Sequence, residues 1–289
     1  MSLVSDTHGG MATISRVGNI DRNMNCIPEE TGIIILGDAG LNFYLNNTDK
    51  KYKKLLNSQG YHIYCVRGNH EERPENLGYT KDYDYEVGGL VYYDDKFENI
   101  KYFVDGNDYT IDGHPVLVLG GAYSIDKWHR LARAGYSADE AETANPKKCG
   151  WFKDECLTQE EMYDISNRIA GNKYDFIFSH TCPLSWEPSD LFLHGIDQST
   201  VDKSMEVWMD GLKEYVDWRI WLFGHYHADR VERPFVEQMY MDYENLDTIW
   251  NRWFGERTYP KEWWLPKSPW MQWWDESEEG KAWQNSESQ

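Results

Sequence analysis

Short apolar runs that end in a polar side chain recur along the chain. Five of them are rich in β-branched or aromatic residues and are followed directly by Asp, Asn or His. They cover residues 3–5, 33–37, 61–68, 176–179 and 220–224. Because the apolar positions do not alternate with polar ones, each run predicts a strand that is buried on both faces, as in the sheets of α/β proteins.

Amphipathic segments between these runs predict helices. Residues 48–58 carry lysines on one face, and residues 158–171 begin with a capping box formed by Thr158 and Glu161. Residues 199–218 have apolar side chains at every third or fourth position, which is typical of a helix with one face in the core. Further strands are predicted at residues 102–104, 116–120 and 230–236. The pattern therefore predicts an α/β fold with some antiparallel strands late in the chain.

The domain organisation follows from the absence of internal repeats and of low-complexity linkers. We expect one main domain over residues 1–249. Residues 250–289 differ in composition, because they hold eight of the 14 tryptophans and three prolines. We expect this extension to pack its indoles on the same domain, since Trp is mostly buried in folded proteins. An aromatic binding platform is the alternative.

Composition excludes several classes of protein. The chain has 289 residues, of which 40% are hydrophobic and 15% aromatic, so it is not intrinsically disordered. It has neither a signal-peptide pattern nor an apolar stretch of roughly 18 residues, and we expect a cytoplasmic protein without a membrane partner.

The net charge and the cysteine content limit the binding partners and the cellular compartment that we expect. With 29 Lys and Arg against 49 Asp and Glu, the net charge is −20, which disfavours extended binding to nucleic acid. The five cysteines form no CxxC pair and predict free thiols in a reducing compartment.

Residue types that can bind metals follow all five buried runs. Because ligands gather at the carboxyl ends of strands in open α/β sheets, we expect these side chains to converge. They are Asp6, His8, Asp38, Asn69, His70, His180, His225 and His227. Oxygen and nitrogen donors without a thiolate suit Mn, Fe or Zn in sites of five or six ligands. Even seven of these eight residues would exceed the needs of one ion, so two divalent ions sharing an Asp are predicted, with Mn preferred.

The order of these residues is similar to the motif series of the calcineurin-like metallophosphoesterases. The motifs are Ser5-Asp6-Thr7-His8-Gly9, Leu36-Gly37-Asp38, Arg67-Gly68-Asn69-His70-Glu71, Ser179-His180 and Gly224-His225-Tyr226-His227. The resemblance implies a sandwich of two mixed β-sheets flanked by helices. It implies one ion held by Asp6, His8, Asp38 and His227, and a second held by Asp38, Asn69, His180 and His225.

The same resemblance implies an enzyme that hydrolyses phosphate esters with hydroxide activated by the metal ions. His70 would face the substrate as the general acid. Its neighbour Glu71 would either hold the tautomer of His70 or be an ordinary exposed carboxylate, and we favour the second role.

One departure bears on the substrate. The protein Ser/Thr phosphatases continue the second motif as Gly-Asp-x-x-Asp-Arg, whereas this chain has Leu41 and Asn42 in place of the Asp and Arg. Without that arginine we expect a small phosphodiester to be slightly favoured over a monoester. Lys127, His129 and Arg130 are candidates for a substitute phosphate clamp. A protein Ser/Thr or nucleotide phosphomonoesterase is the alternative.

Other classes of function fit less well. A non-catalytic scaffold of the same fold is disfavoured because no ligand is missing. A metallo-amidohydrolase would carry its His-x-His on the first strand rather than the last, and the net charge disfavours a nuclease. We expect the segments 126–156 and 183–198 to select the substrate.

Overall fold

The described part of the chain forms 13 strands in two sheets. The computed structural model describes residues 1–8, 17, 32–192, 195 and 197–255. Its strands are β1 (Ser2–Val4), β2 (Gly32–Leu36), β3 (His62–Val66), β4 (Thr80–Asp84), β5 (Gly89–Tyr93), β6 (Ile100–Phe103), β7 (Asp108–Ile111), β8 (His114–Leu119), β9 (Lys173–Ser179), β10 (Asp217–Phe223), β11 (Arg230–Arg233), β12 (Val236–Gln238) and β13 (Glu244–Asn245). The first sheet has the order β13-β1-β2-β3-β6-β5-β4, and the second has the order β11-β12-β10-β9-β8-β7.

Each sheet has a parallel centre and antiparallel edges. In the first sheet β1, β2, β3 and β6 are parallel, and in the second sheet β8, β9, β10 and β12 are parallel. The strands β4, β5, β7, β11 and β13 pair antiparallel to their neighbours. Parallel strands bring their carboxyl ends to one edge of a sheet, and the five buried runs of the sequence all belong to this parallel set.

The helices of the described residues are α1 (Asn47–Asn57), α2 (Lys127–Arg133), α3 (Pro146–Cys149), α4 (Gln159–Ile169), α5 (Ser204–Tyr215) and α6 (Leu246–Phe254). Of these, α1, α4 and α5 pack on the outer faces of the two sheets. Leu56 of α1 packs on the first sheet, and Ile165 of α4 packs with Leu212 of α5 and Trp221 on the second. The capping box predicted at Thr158 and Glu161 is present at the start of α4. The two mixed sheets with flanking helices confirm the predicted fold class.

The main core lies between the two sheets. Side chains at alternate positions of β9 and β10 face the first sheet, including Phe178 and Leu222, which pack in one cluster with Ile34 and Tyr64. The intervening Ile177 and Trp221 face α4 and α5 instead. Every residue of β2 is buried, as the uninterrupted apolar runs predicted.

Two predicted elements differ in detail. The strand predicted at residues 230–236 is a hairpin of β11 and β12, because Pro234 interrupts the ladder and Phe235 turns with φ 66°. The helix predicted at residues 199–218 is shorter. Gln198–Thr200 form a separate 3-10 turn before it, and Asp217 already belongs to β10.

The C-terminal extension lies mostly outside the described residues. The predicted boundary at residue 250 falls inside α6, whose Trp250 and Trp253 pack against the core between the sheets. Residues 256–289 are outside the described part, and so is Cys26. The other four cysteines are free thiols. No helix among the described residues has both the length and the apolar character needed to cross a bilayer.

We expect Phe178→Ala to lower the free energy of unfolding by about 3–5 kcal/mol, because its ring is fully buried between the sheets. The measurement is urea denaturation followed by circular dichroism. Val207→Ala is the control, since Val207 is exposed on α5 and should change stability by less than about 0.5 kcal/mol. A loss below about 1 kcal/mol for Phe178→Ala would contradict the assignment of the main core.

Candidate metal centre

The predicted site residues follow five parallel strands. Asp6 and His8 follow β1, and Asp38 follows β2. Asn69 and His70 follow β3, His180 follows β9, and His225 and His227 follow β10. The structure brings them together where the strand ends of the two sheets meet.

One group of ligand atoms comes from the first and last motifs. Asp6, His8 and His227 each place a ligand atom within 4.8 Å of the others. The Nε2 atoms of His8 and His227 are 2.8 Å apart, and His227 Nε2 is 3.6 Å from Asp6 Oδ1. Two imidazole nitrogens and a carboxylate oxygen that face one point are a donor set that suits Mn, Fe or Zn.

A second group lies deeper. Asp6, Asp38 and His180 are buried and also place their ligand atoms within 4.8 Å of one another. His180 Nε2 is 3.5 Å from Asp38 Oδ2 and 2.9 Å from Asn69 Oδ1, while its Nδ1 bonds to the carbonyl of Leu36 at 2.9 Å. That backbone bond places the ring proton on Nδ1 and leaves Nε2 to face two oxygens.

The pKa of His180 indicates whether the second group of ligand atoms can accommodate a cation. Burial lowers the pKa of His180, but the charges of Asp38 and Asp6 outweigh burial and raise it to about 9. A proton on His180 thus supplies the positive charge that the two buried carboxylates require. A divalent ion among the same atoms would supply that charge instead, so the residues fit a metal site.

Asp38 belongs to the second group and also faces His8 of the first group. Its Oδ2 is 3.9 Å from His8 Nδ1 and 3.9 Å from His70 Nε2, and its Oδ1 accepts the backbone N–H of His70 at 2.8 Å. Burial would raise the pKa of Asp38, but His180 and His70 hold it well below its usual range. The carboxylate is therefore anionic and faces both groups.

Asp6 is also shared, because its ligand atoms belong to both groups. Its Oδ2 accepts the hydroxyl of Ser5 at 2.5 Å and the backbone N–H of His225 at 2.9 Å. These bonds fix the orientation of the carboxylate, so that Oδ1 faces His227. A Cβ at Gly224 would collide with Ser5 Oγ and Asp6 Oδ2, so only glycine allows the last motif to approach the first.

Backbone strain concentrates in the centre. Five of the site residues have left-handed backbone conformations that are rare for residues with a Cβ atom. They are Asp6, His8, Asp38, His225 and His227, with φ between 47° and 68°. Such strain persists only where the surrounding structure holds it, and it marks these strand ends as a functional site.

His225 has a different environment from the other ligands. Its ring lies 5.0 Å from that of His180, and it belongs to neither group of ligand atoms in the described part of the chain. Burial, followed by the charge of His180, lowers its pKa to about 3. It is therefore a neutral imidazole, the form that binds metals.

His70 and Glu71 differ in their surroundings. Burial lowers the pKa of His70 although Asp38 opposes this, and its Nδ1 has no hydrogen-bond partner among the described residues. Glu71 is buried rather than exposed, so the favoured sequence interpretation was wrong. Its Oε1 accepts the N–H of Gly68 at 2.8 Å, which makes it a support of the turn.

A cavity of about 420 Å³ opens over the centre. Asp38, Asn69, His70, His225 and His227 line its floor. Its walls come from the loop after β8 and from residues between 191 and 206. Both predicted substrate-selecting segments contribute, the first through Asp126 and the second through Leu191, Phe192 and Gln198.

The candidate phosphate clamp lies on α2, beside this cavity. Lys127 Nζ is 4.3 Å from the centre of the Trp151 ring, and His129 is exposed. Arg130 donates to Asp126 at 2.7 Å and to the carbonyl of Gly150 at 3.0 Å. None of the three candidates lines the cavity, and among the described residues Lys203 is the only lysine that does.

Three wall residues carried no sequence signal. Gln198 and Phe192 lie in the segment 183–198, where no motif singled them out. Glu206 follows Met205 in the first turn of α5 and lines the cavity, whereas the helical pattern identified only the apolar face. Their roles depend on how loops and helices pack around the strand ends.

Comparison with known proteins agrees with this geometry. The family model for calcineurin-like phosphoesterases, which are metal-dependent hydrolases of phosphate esters, matches residues 3–229. A comparison with curated proteins found no match. The matched part contains every predicted site residue, and the Asp and His groups within it fit divalent ions. The chain therefore belongs to the calcineurin-like phosphoesterase family.

Proposed function

We propose that this protein hydrolyses small phosphate esters with two divalent metal ions and favours diesters over monoesters. The position of Asp38 carries the proposal, because its carboxylate faces His180 at 3.5 Å and both His8 and His70 at 3.9 Å. A carboxylate that belongs to one group of ligand atoms and faces a histidine of the other is placed as a bridging ligand requires.

The ligand sets proposed for the two ions are those that the family motifs imply, and each set contains at least two residues of one group of ligand atoms. Asp6, His8, Asp38 and His227 would hold one ion, and Asp38, Asn69, His180 and His225 the other. Bound ions would neutralise charge on the phosphoryl oxygens and lower the pKa of the attacking water. Oxygen and imidazole donors without cysteine support Mn, with Fe or Zn as alternatives.

His70 is proposed to protonate the leaving oxygen. It lines the cavity next to Asp38, and the backbone N–H of His70 donates to Asp38 Oδ1, which fixes the start of its side chain over the centre. An imidazole in this position can transfer a proton to an alkoxide or phenoxide as it leaves.

The preference for diesters rests on the scarcity of free cations in the cavity. Leu41 and Asn42 are buried, and Asn42 accepts hydrogen bonds from Lys53 and from Tyr79 at 2.8 Å rather than facing the cavity. Lys203, which does face it, is paired with Glu187 at 2.6 Å. A phosphomonoester dianion gains most from an arginine fork, whereas a monoanionic diester depends more on the metal ions.

A substitute clamp remains part of the proposal. Among Lys127, His129 and Arg130, we favour Arg130, because it bonds at 2.7 Å to Asp126, which lines the cavity. The cytoplasmic location and the lack of nucleic-acid and membrane partners stay predictions.

We expect elemental analysis of the fully loaded protein to give two ions per chain. Asp38→Asn should reduce the content of both ions, because the amide cannot bridge them as a carboxylate does. Asp139→Asn is the control, since Asp139 is exposed outside the site and its loss should leave the content unchanged. A single ion in the wild-type protein, or unchanged content in Asp38→Asn, would refute the bridging role.

We expect His70→Ala to keep both ions and to lower kcat by about 10²–10⁴-fold on phenyl esters, as for the loss of a general acid. The loss should be smaller on 4-nitrophenyl esters, because the more acidic leaving group departs without a proton. His227→Ala should lose metal instead. Equal losses of kcat on both esters, or metal loss in His70→Ala, would exclude this assignment of His70.

We expect bis(4-nitrophenyl) phosphate to be hydrolysed in Mn²⁺ with a kcat/KM at least comparable to that of 4-nitrophenyl phosphate. The net charge of −20 also disfavours binding of the dianion, although salt screens this repulsion between charges more than about 8 Å apart. A clear preference for the monoester would overturn the proposed preference for diesters. In that case, Arg130→Ala would test whether Arg130 binds the additional charge.

A further inference from the structure

One wall of the cavity contains polar groups that the metal chemistry does not use. Gln198 lines this wall, and both the oxygen and the nitrogen of its amide are buried without a hydrogen-bond partner in the described residues. A buried amide that lacks both partners is unfavourable in the free protein. It is suited to a ligand that offers a donor and an acceptor side by side.

Glu206 provides a second unused group on the same wall. Its side chain is buried, and Oε1 accepts the hydroxyl of Thr181 at 2.8 Å. Oε2 is buried as well and has no hydrogen-bond partner in the described part of the chain. The carboxylate can therefore accept one more hydrogen bond, from an amino or hydroxyl group in the cavity.

An aromatic ring completes the wall. Phe192 lies nearly parallel to the ring of Tyr226, with 6.3 Å between centroids, and Lys203 Nζ is 5.0 Å from its centre. Lys203 is itself paired with Glu187 at 2.6 Å, which fixes its position beside the ring, and Phe192 lines the cavity. A ring held in this way is a preformed platform for a planar group.

We propose that Phe192, Gln198 and Glu206 form a subsite for a nucleobase, so that the substrate is a nucleoside ester of phosphate. This inference rests on the proposed function. A nucleobase is planar, so it can stack on Phe192, and its edge carries adjacent donors and acceptors that pair with an amide in both directions. Glu206 accepts from an amino group of the base or from a sugar hydroxyl.

Other ester groups satisfy this wall less completely. An alkyl or simple phenyl group would leave the polar atoms of Gln198 and Glu206 unpaired. A second phosphate gains little from Lys203, whose charge is already paired with Glu187. The cavity of about 420 Å³ is within the range of roughly 300–1,000 Å³ found for small-molecule sites.

Two substrates that differ only in one ester group test the subsite. Thymidine 5′-(4-nitrophenyl phosphate) and methyl 4-nitrophenyl phosphate have the same charge and the same leaving group. With the full chain loaded with Mn²⁺, we expect kcat/KM to be at least about tenfold higher for the thymidine ester, mainly through a lower KM. Equal values for the two esters would overturn the subsite while leaving phosphoester hydrolysis intact.

Variants assign the preference to the wall. Gln198→Met keeps the length of the side chain but removes its hydrogen bonds, and it should reduce the preference by about fivefold to tenfold. Phe192→Leu should reduce it as well, through loss of stacking. Gln159→Met is the matched control on exposed surface and should keep the full preference. A full preference in both wall variants would overturn the assignment.

A binding measurement separates this inference from the proposed function. If neither ester is hydrolysed, the proposed function fails, and calorimetry then decides on the subsite. Thymidine 5′-monophosphate should bind at least about tenfold more tightly than 2-deoxyribose 5-phosphate, which has the same phosphate but no base. Equal affinities would overturn the subsite.

Discussion

The charge of Asp38 is the constraint on which the centre depends. Its carboxylate is 1% exposed, so it has lost nearly all contact with water and needs positive charge nearby. His180 supplies that charge as a proton, which explains why its pKa rises to about 9 although burial alone would lower it. The space beside Asp38 is also lined by other candidate ligands, namely Asp6, His8, Asn69 and His227. Two divalent ions in this space would neutralise the negative charges of the buried carboxylates Asp6 and Asp38.

The sandwich makes this concentration of ligands possible. Parallel strands hold their carboxyl ends at one edge, and the first sheet contributes Asp38 while the second contributes His180. Packing of Phe178 between the sheets fixes their separation, so distances across the centre depend on the core. The left-handed conformations of five site residues mark the same strand ends as the strained part of the fold.

These facts explain how far the sequence could predict the molecule. The buried strands and their ligands were predictable, because an apolar run that ends in Asp or His encodes both the burial and the position of the ligand. The boundaries of strands and helices depend on single residues and were harder to predict. Pro234 divides one predicted strand, and Asp217 begins β10 where a helix was expected. Glu71 appeared to be a surface carboxylate because burial of one side chain depends on packing from distant segments.

The cavity walls show why chemistry was easier to predict than specificity. Metal ligands must lie within a few ångströms of a common point, which requires rigid strand ends and leaves an ordered motif in the sequence. A wall that recognises an ester group can be assembled from any segments that reach it. Here it comes from Leu191, Phe192 and residues between 198 and 206. Gln198 and Glu206 have no fixed spacing to the ligands, so only their unpaired buried atoms identify them. Since the only lysine or arginine among the described cavity residues is Lys203, already paired with Glu187, attraction of an anionic substrate would depend on the metal ions, while the wall would select the uncharged part.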